Sequence, residues 1–141
     1  MRLSIHHIAL LTKNIEKSAR DYVKFFQYTI VSPIIHDPIQ TAYVQFLQLE
    51  GSTSYIELIA PDGLDSKLTN ALKKGGGLNH LCYSTSNIDK SCSDMVNQGL
   101  FLLQAPVAAT AFPGRRIAWL MGRDGIPVEL VEKGEDKWQL N

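Results

Sequence analysis

The chain lacks an excess of charge of either sign. Its 141 residues carry 14 Lys and Arg against 14 Asp and Glu, a formal net charge of zero. That excludes the basic footprint of a nucleic-acid binder. Charged residues make up 20% of the chain, too few for a disordered acidic segment. Long apolar runs are missing too: none approaches the ~20 residues needed to span a bilayer, so no membrane partner is expected. The opening MRLSIHHIALL has one Arg but no apolar core closed by a small-residue cleavage site, so no secretory signal is expected. Cysteine is scarce. Cys82 and Cys92 cannot build a disulfide scaffold and are expected to be reduced thiols in a cytoplasmic protein. A phosphate loop is absent as well, because Lys73-Lys74-Gly75-Gly76-Gly77 has no Gly-Lys-Ser/Thr behind it. What remains is 45% hydrophobic residues in a length that suits one domain, residues 1–141.

The chain does contain an internal repeat. IHHIALLTKNIEKSARDYV from Ile5 aligns with LNHLCYSTSNIDKSCSDMV from Leu78, at an offset of 73. His7 falls on His80, Asn14 on Asn87, Lys17 on Lys90, Ser18 on Ser91 and Asp21 on Asp94. A second match, YIELI over PVELV, places Glu57 on Glu129 at an offset of 72. Two matches at nearly equal offsets indicate one supersecondary unit used twice.

Within each unit an apolar strand comes first. An Asn N-cap with an acidic residue two positions on then opens an amphipathic helix. Ile15, Ala19, Tyr22, Val23 and Phe26 form the stripe of the first helix; Ile88, Cys92, Met95 and Val96 form that of the second. Strand-like segments follow at 29–33, 41–49 and 54–60, and again at 101–103, 115–121 and 127–132. Arg123-Asp124-Gly125 supplies a hairpin turn. The expectation is an α+β fold of two tandem βαβββ modules, about 1–62 and 78–133. They would form a curved mixed sheet, with a linker at 63–77 that holds a short helix over 65–74.

Alternation along a strand then assigns faces. Ile8 and Leu10 should meet the helix, as should Ile56 with Leu58, Leu81 with Tyr83 and Val128 with Leu130. His7, Glu57, His80 and Glu129 therefore emerge on the other face, at equivalent places in two repeats. Two imidazoles and two carboxylates suit a divalent first-row metal with positions left for water or substrate. A lone His or Glu among apolar neighbours is more often a hydrogen-bonded core residue. Gathering all four on one surface without a cation, however, would be costly.

Other residues allow two readings each. Gln45, among apolar residues, either orients a substrate or faces solvent. Arg115 with Arg116 either meets a phosphate or carboxylate or is a solvated strand end. Phe112 and Trp119 either line a pocket or belong to the core. His6 should point away from His7 and take a packing or surface role. His36 is expected in an exposed loop. Cys82 shares the face of His80 and reads as a small buried side chain.

On IHHIALLTKNIEKS, YIELIAP, GGGLNHLCYSTSNID and VELVEK the sequence resembles the vicinal oxygen chelate superfamily. That group includes glyoxalase I, methylmalonyl-CoA epimerase, extradiol dioxygenases and antibiotic-resistance proteins. YIELIAPDGLDSKLTNALKKGGGLNHL is most similar to the epimerases. Asn79 stands where epimerases usually have a second His, and residues 108–114 form a bulkier, more apolar loop. The resemblance implies a metal-dependent enzyme, an isomerase or lyase, in a glyoxalase-like fold around one divalent ion (Co, Ni, Zn, Mn or Fe). The implied ligands are His7, Glu57, His80 and Glu129. Glu129 and Glu57 would handle a proton beside a metal-bound carbonyl, with burial raising a carboxyl towards neutrality. Gln45, Phe112, Arg115 and Trp119 would contact a small-molecule substrate, and the chain would be a homodimer. A lactoylglutathione lyase of the glyoxalase I type and a small-molecule-binding resistance protein are the alternatives.

Overall fold

The computed structural model describes residues 2–140. Met1 and Asn141, the ends of the expected domain, lie outside the described residues. The elements run β1 (Leu3–Leu11), α1 (Ile15–Phe26), β2 (Thr29–Ile30), β3 (Ile35–Asp37), β4 (Ala42–Gln48), β5 (Tyr55–Pro61) and α2 (Thr69–Lys73). They continue β6 (Gly77–Thr85), α3 (Ile88–Asn97), β7 (Phe101–Ala108), β8 (Arg116–Met121) and β9 (Pro127–Glu132). The class is the mixed α+β one that the repeat predicts. Among the described residues no helix is long and apolar enough to cross a membrane.

The described chain divides into two compact units. One holds residues up to His7 with His80–Asp136; the other holds Ile8–Asn79 with the tail from Lys137. β1 is thus shared by sequence, its first part in one unit and its second part in the other.

In the unit of Ile8–Asn79, β4 pairs antiparallel with β5, and β2 and β3 pair with β4. Ile15 and Ala19 of α1 bury against Leu47, Leu58 and Ala60, with Leu10, Tyr22 and Ile56 around them. Val23 and Phe26 were expected in this stripe but are 41% and 59% exposed. The apolar contact ends near Tyr22, and the helix closes at Gln27, which has left-handed backbone. His36 lies in the short strand β3 rather than a loop. Its ring is half exposed, as expected, and sits 2.9 Å from the Asp62 carboxylate.

In the unit of His80–Asp136, β6 pairs parallel with β9, β9 antiparallel with β8, and β8 antiparallel with β7. Ile88, Cys92 and Met95 of α3 bury against Ala118, Leu120 and Leu130, with Leu3, Tyr83 and Val128 packed alongside. The expected helix-facing residues mostly hold. The exceptions are Ile8 and its repeat mate Leu81: Ile8 is 39% exposed and Leu81 half-buried, and neither joins these clusters. Each helix therefore covers only the later part of the strand before it. β7 continues to Ala108, well past the expected 101–103. Pro106 is tolerated because β7 is an edge strand whose register with β8 shifts twice, so the missing N–H costs no ladder bond.

The repeat extends to the hydrogen bonds at the helix starts. Asn14 Oδ1 accepts from the Lys17 N–H, and Asn87 Oδ1 from the Lys90 N–H, each at 3.0 Å. Thr12 and Ser18 share a hydroxyl bond of 2.7 Å; Thr85 and Ser91, at the same offset, share one of 2.6 Å. Replacing either Asn by Ala should cost about 1 kcal/mol. Because the two helices pack on different clusters, the double variant should lose about 2 kcal/mol in urea denaturation. A double variant as stable as either single one would mean that the two caps act together.

The expected linker helix is shorter than 65–74. It covers Thr69–Lys73 and is followed by Gly75-Gly76-Gly77, all with positive φ. At Gly76 a Cβ would stand 2.7 Å from the Leu11 carbonyl oxygen, so only glycine lets the chain pass β1 here.

Candidate metal centre

Three of the four expected ligands lie in the unit of His80–Asp136. His7 comes from the early part of β1, His80 from β6 and Glu129 from β9, where Glu129 is in register with Cys82. All three side chains are buried, at 0%, 0% and 2% exposure. Nε2 of His7 is 3.3 Å from Nε2 of His80. Glu129 Oε1 is 3.2 Å from the first nitrogen and 3.4 Å from the second. The three atoms make a nearly equilateral triangle. Yet Oε1 has no contact with hydrogen-bond geometry, although it is fully buried. A buried oxygen with no bond of its own, crowded against two imidazole nitrogens, is aimed at a point that all three can share.

This arrangement fits a metal. Donors about 2.1 Å from one first-row ion lie ~3.0 Å apart at octahedral angles and ~3.4 Å apart at tetrahedral ones. The observed separations fall in that range. Burial pushes the Glu129 carboxyl up, but His7 and His80 beside it outweigh that and hold it below its ordinary value. The expectation of a carboxyl raised towards neutrality therefore does not describe Glu129. It is an anion at neutral pH, which a ligand must be.

Glu57, the fourth expected ligand, is buried at 1% exposure on β5 of the other unit, in register with Phe46. Gln45 lies on the adjoining β4, in register with Leu58. It is 9% exposed rather than solvent-facing, and its amide N–H donates to the Ser32 carbonyl at 3.1 Å.

The other expected contacts have defined places. Trp119 is half-buried and meets the His80 ring edge-on, with centroids 4.7 Å apart. Phe112 is buried at 2% exposure, edge-on to His6 at 5.1 Å and stacked on His7 at 6.1 Å. Arg115 donates to Asp136 at 2.7 Å and lies over the Phe112 ring. Arg116 instead joins Asp89 and Glu132 at the surface, and both carboxyls hold the guanidinium pKa above its ordinary value.

Two residues were missed. His6 was assigned a packing or surface role on the opposite face, but it is buried with its Nδ1 2.8 Å from Nδ1 of His7. Asp136 lies beyond the last strand, where no periodicity marks it, and its Oδ2 is 2.9 Å from His6 Nε2. Burial raises the Asp136 pKa, but His6 and Arg115 outweigh it and bring it to about 2. His6, His7 and Cys82 also place one donor atom each within 4.8 Å of one another. The imidazoles in that group are already bonded to each other.

Residues 6–119 match the model of the glyoxalase/bleomycin resistance protein/dioxygenase superfamily. The chain belongs to this superfamily. It is 31% identical over 132 residues to human mitochondrial methylmalonyl-CoA epimerase, covering 91% of this chain and 73% of that protein. It is 27% identical over 130 residues to the uncharacterized protein YwkD of Bacillus subtilis (strain 168), covering 92% and 97%. The fold superimposes on the crystal structure of methylmalonyl-CoA epimerase from Mycobacterium tuberculosis with a TM-score of 0.82 at 24% identity, covering 93% of this chain and 88% of that one. The superfamily thus accounts for the mixed α+β fold.

Proposed function

We propose that the chain is a metal-dependent isomerase of the methylmalonyl-CoA epimerase type, which removes and returns a proton beside a carbonyl of a small-molecule substrate. The observation that carries this reading is the buried triangle of His7, His80 and Glu129, whose three donor atoms lie 3.2–3.4 Å apart. The epimerase relative at 31% identity supports the substrate class. In this reading the three residues hold one divalent first-row ion (Co, Ni, Zn, Mn or Fe). Glu57 is the fourth ligand, on the strength of its repeat equivalence to Glu129 and its burial. The bound ion supplies a Lewis acid that stabilises negative charge on a substrate carbonyl oxygen.

The chain's own residues do the rest. His7 and His80 keep Glu129 ionised. Glu129 and Glu57 are the carboxylates assigned to carry the proton. Trp119, braced on His80, is the proposed wall for the substrate. Gln45 offers its amide oxygen, since its N–H is given to Ser32. Phe112 and Arg115 act from behind the ligands through the contacts described above. Cytoplasmic residence and a homodimer belong to the same proposal.

The test is proton exchange. A methylmalonyl thioester in deuterated water should lose its α-proton NMR signal with Co2+-loaded protein and keep it when EDTA is present. A loaded protein that leaves the signal intact would end the epimerase reading. If the same protein turns over a hemithioacetal, the lyase alternative takes its place.

A further inference from the structure

A chain of polar contacts runs away from the metal triangle behind His7. Arg115 Nη2 is 2.7 Å from Asp136 Oδ1. Asp136 Oδ2 is 2.9 Å from His6 Nε2. His6 Nδ1 is 2.8 Å from His7 Nδ1. Its members are largely out of water: His6 is 7% exposed, and the Asp136 and Arg115 side chains 9% and 11%. Phe112 packs on both imidazoles and on the guanidinium. The tail reaches Arg115 closely because residue 134 is glycine; a Cβ there would stand 2.7 Å from Arg115 Cδ.

With both imidazoles neutral, the direction of every bond in this chain follows from its far end. A guanidinium can only donate, and an ionised carboxylate can only accept. Asp136 therefore accepts from Arg115 and also from His6, so His6 carries its proton on Nε2. A neutral imidazole with Nε2–H has a bare Nδ1, which must accept. The His7 Nδ1 opposite must then be the donor. That leaves the Nε2 of His7 as a lone pair facing His80 and Glu129.

We propose that Arg115, Asp136 and His6 are positioning residues that fix the tautomer and ring orientation of His7, so that the tail residue Asp136 sets metal affinity without touching the metal. The inference rests on the metal reading above for its consequence, but the tautomers can be checked without any metal. Outer partners of ligand histidines typically change metal affinity by about 10–100-fold when removed.

Two measurements test it. The first is 15N–1H correlation NMR of the imidazoles in the EDTA-treated wild-type protein at pH 8. His7 should be protonated at Nδ1 and His6 at Nε2. A His7 ring protonated at Nε2 would overturn the proposal, whatever the metal does. The second is Co2+ affinity by chelator competition, with the visible absorption of bound Co2+ as a signature. His6→Phe and Asp136→Ala should each bind about 10–100-fold more weakly than wild type and show an altered Co2+ spectrum. Asp136→Asn, which can still accept from His6, should recover part of the loss. Variants that melt earlier but bind Co2+ as wild type does would reduce the chain to a structural role and sink the inference. A wild-type protein with the expected tautomers that binds no divalent ion would refute the metal reading and the affinity claim, and leave the tautomer assignment standing.

Discussion

His80→Ala is expected to abolish metal-dependent stabilisation of this protein. In the wild type, an ion at 100 times its dissociation constant should add about 2.7 kcal/mol to stability. For a chain of this length that raises the melting temperature by on the order of 10 °C. His80 supplies one corner of the donor triangle, and its side chain is fully buried. Alanine removes that corner without offering another donor, so affinity should fall by more than the ~100-fold upper range seen when only an outer partner is lost. The Co2+-induced shift in melting temperature should then vanish, together with α-proton exchange. Glu129→Gln is the stricter variant. It keeps the shape and one oxygen but loses the anion that His7 and His80 sustain. Its shift should vanish as well. His36→Ala serves as the control, since that ring is half exposed and bonded to Asp62. A full metal-dependent shift in His80→Ala would show that the triangle is a hydrogen-bonded core cluster rather than an ion site.

Much of this was legible because the chain states its plan twice. The offset of 73 equates Asn14 with Asn87 and His7 with His80, and the structure repeats even the hydroxyl pairs beside the caps. A local signal of that kind survives folding because a cap depends on a few neighbouring residues. Strand alternation placed Leu58, Leu130 and Tyr83 against the helices for the same reason. It failed at Ile8 and Leu81, since alternation gives a face but not how far along the strand the helix reaches.

Other features depended on residues distant in sequence. β7 runs past the expected 101–103 through Pro106, which only the edge position of the strand makes harmless. His6 was sent to the opposite face by a rule that describes Cβ directions, whereas its ring turns so that its Nδ1 meets the Nδ1 of His7. Asp136 had no pattern at all. Its place is defined by His6, 130 residues away, and by Arg115, 21 residues away. The departure of loop 108–114 from the epimerase pattern now has a structural counterpart, because Ala111 and Phe112 of that loop are buried.

Phe112→Ala should be the most destabilising single change on that side of the donor triangle, by about 3–5 kcal/mol. The ring is 2% exposed, although it sits in the loop between β7 and β8 rather than in a strand. It is edge-on to His6, stacked on His7 and covered by the Arg115 guanidinium. Removing it opens a cavity bordered by three polar side chains, which cannot collapse without breaking the bonds that join them. The penalty should therefore sit at the upper end for a buried aromatic, and Phe112→Leu should recover most of it. Urea unfolding of the EDTA-treated protein reads this directly. Phe101→Ala, at a residue 69% exposed on β7, should by comparison stay within about 0.5 kcal/mol of wild type. Because Phe112 also restrains both rings, the alanine variant should bind Co2+ more weakly even where it remains folded. A loss of stability below about 1 kcal/mol would place Phe112 outside the core and return it to the substrate side, where the sequence alone had allowed it.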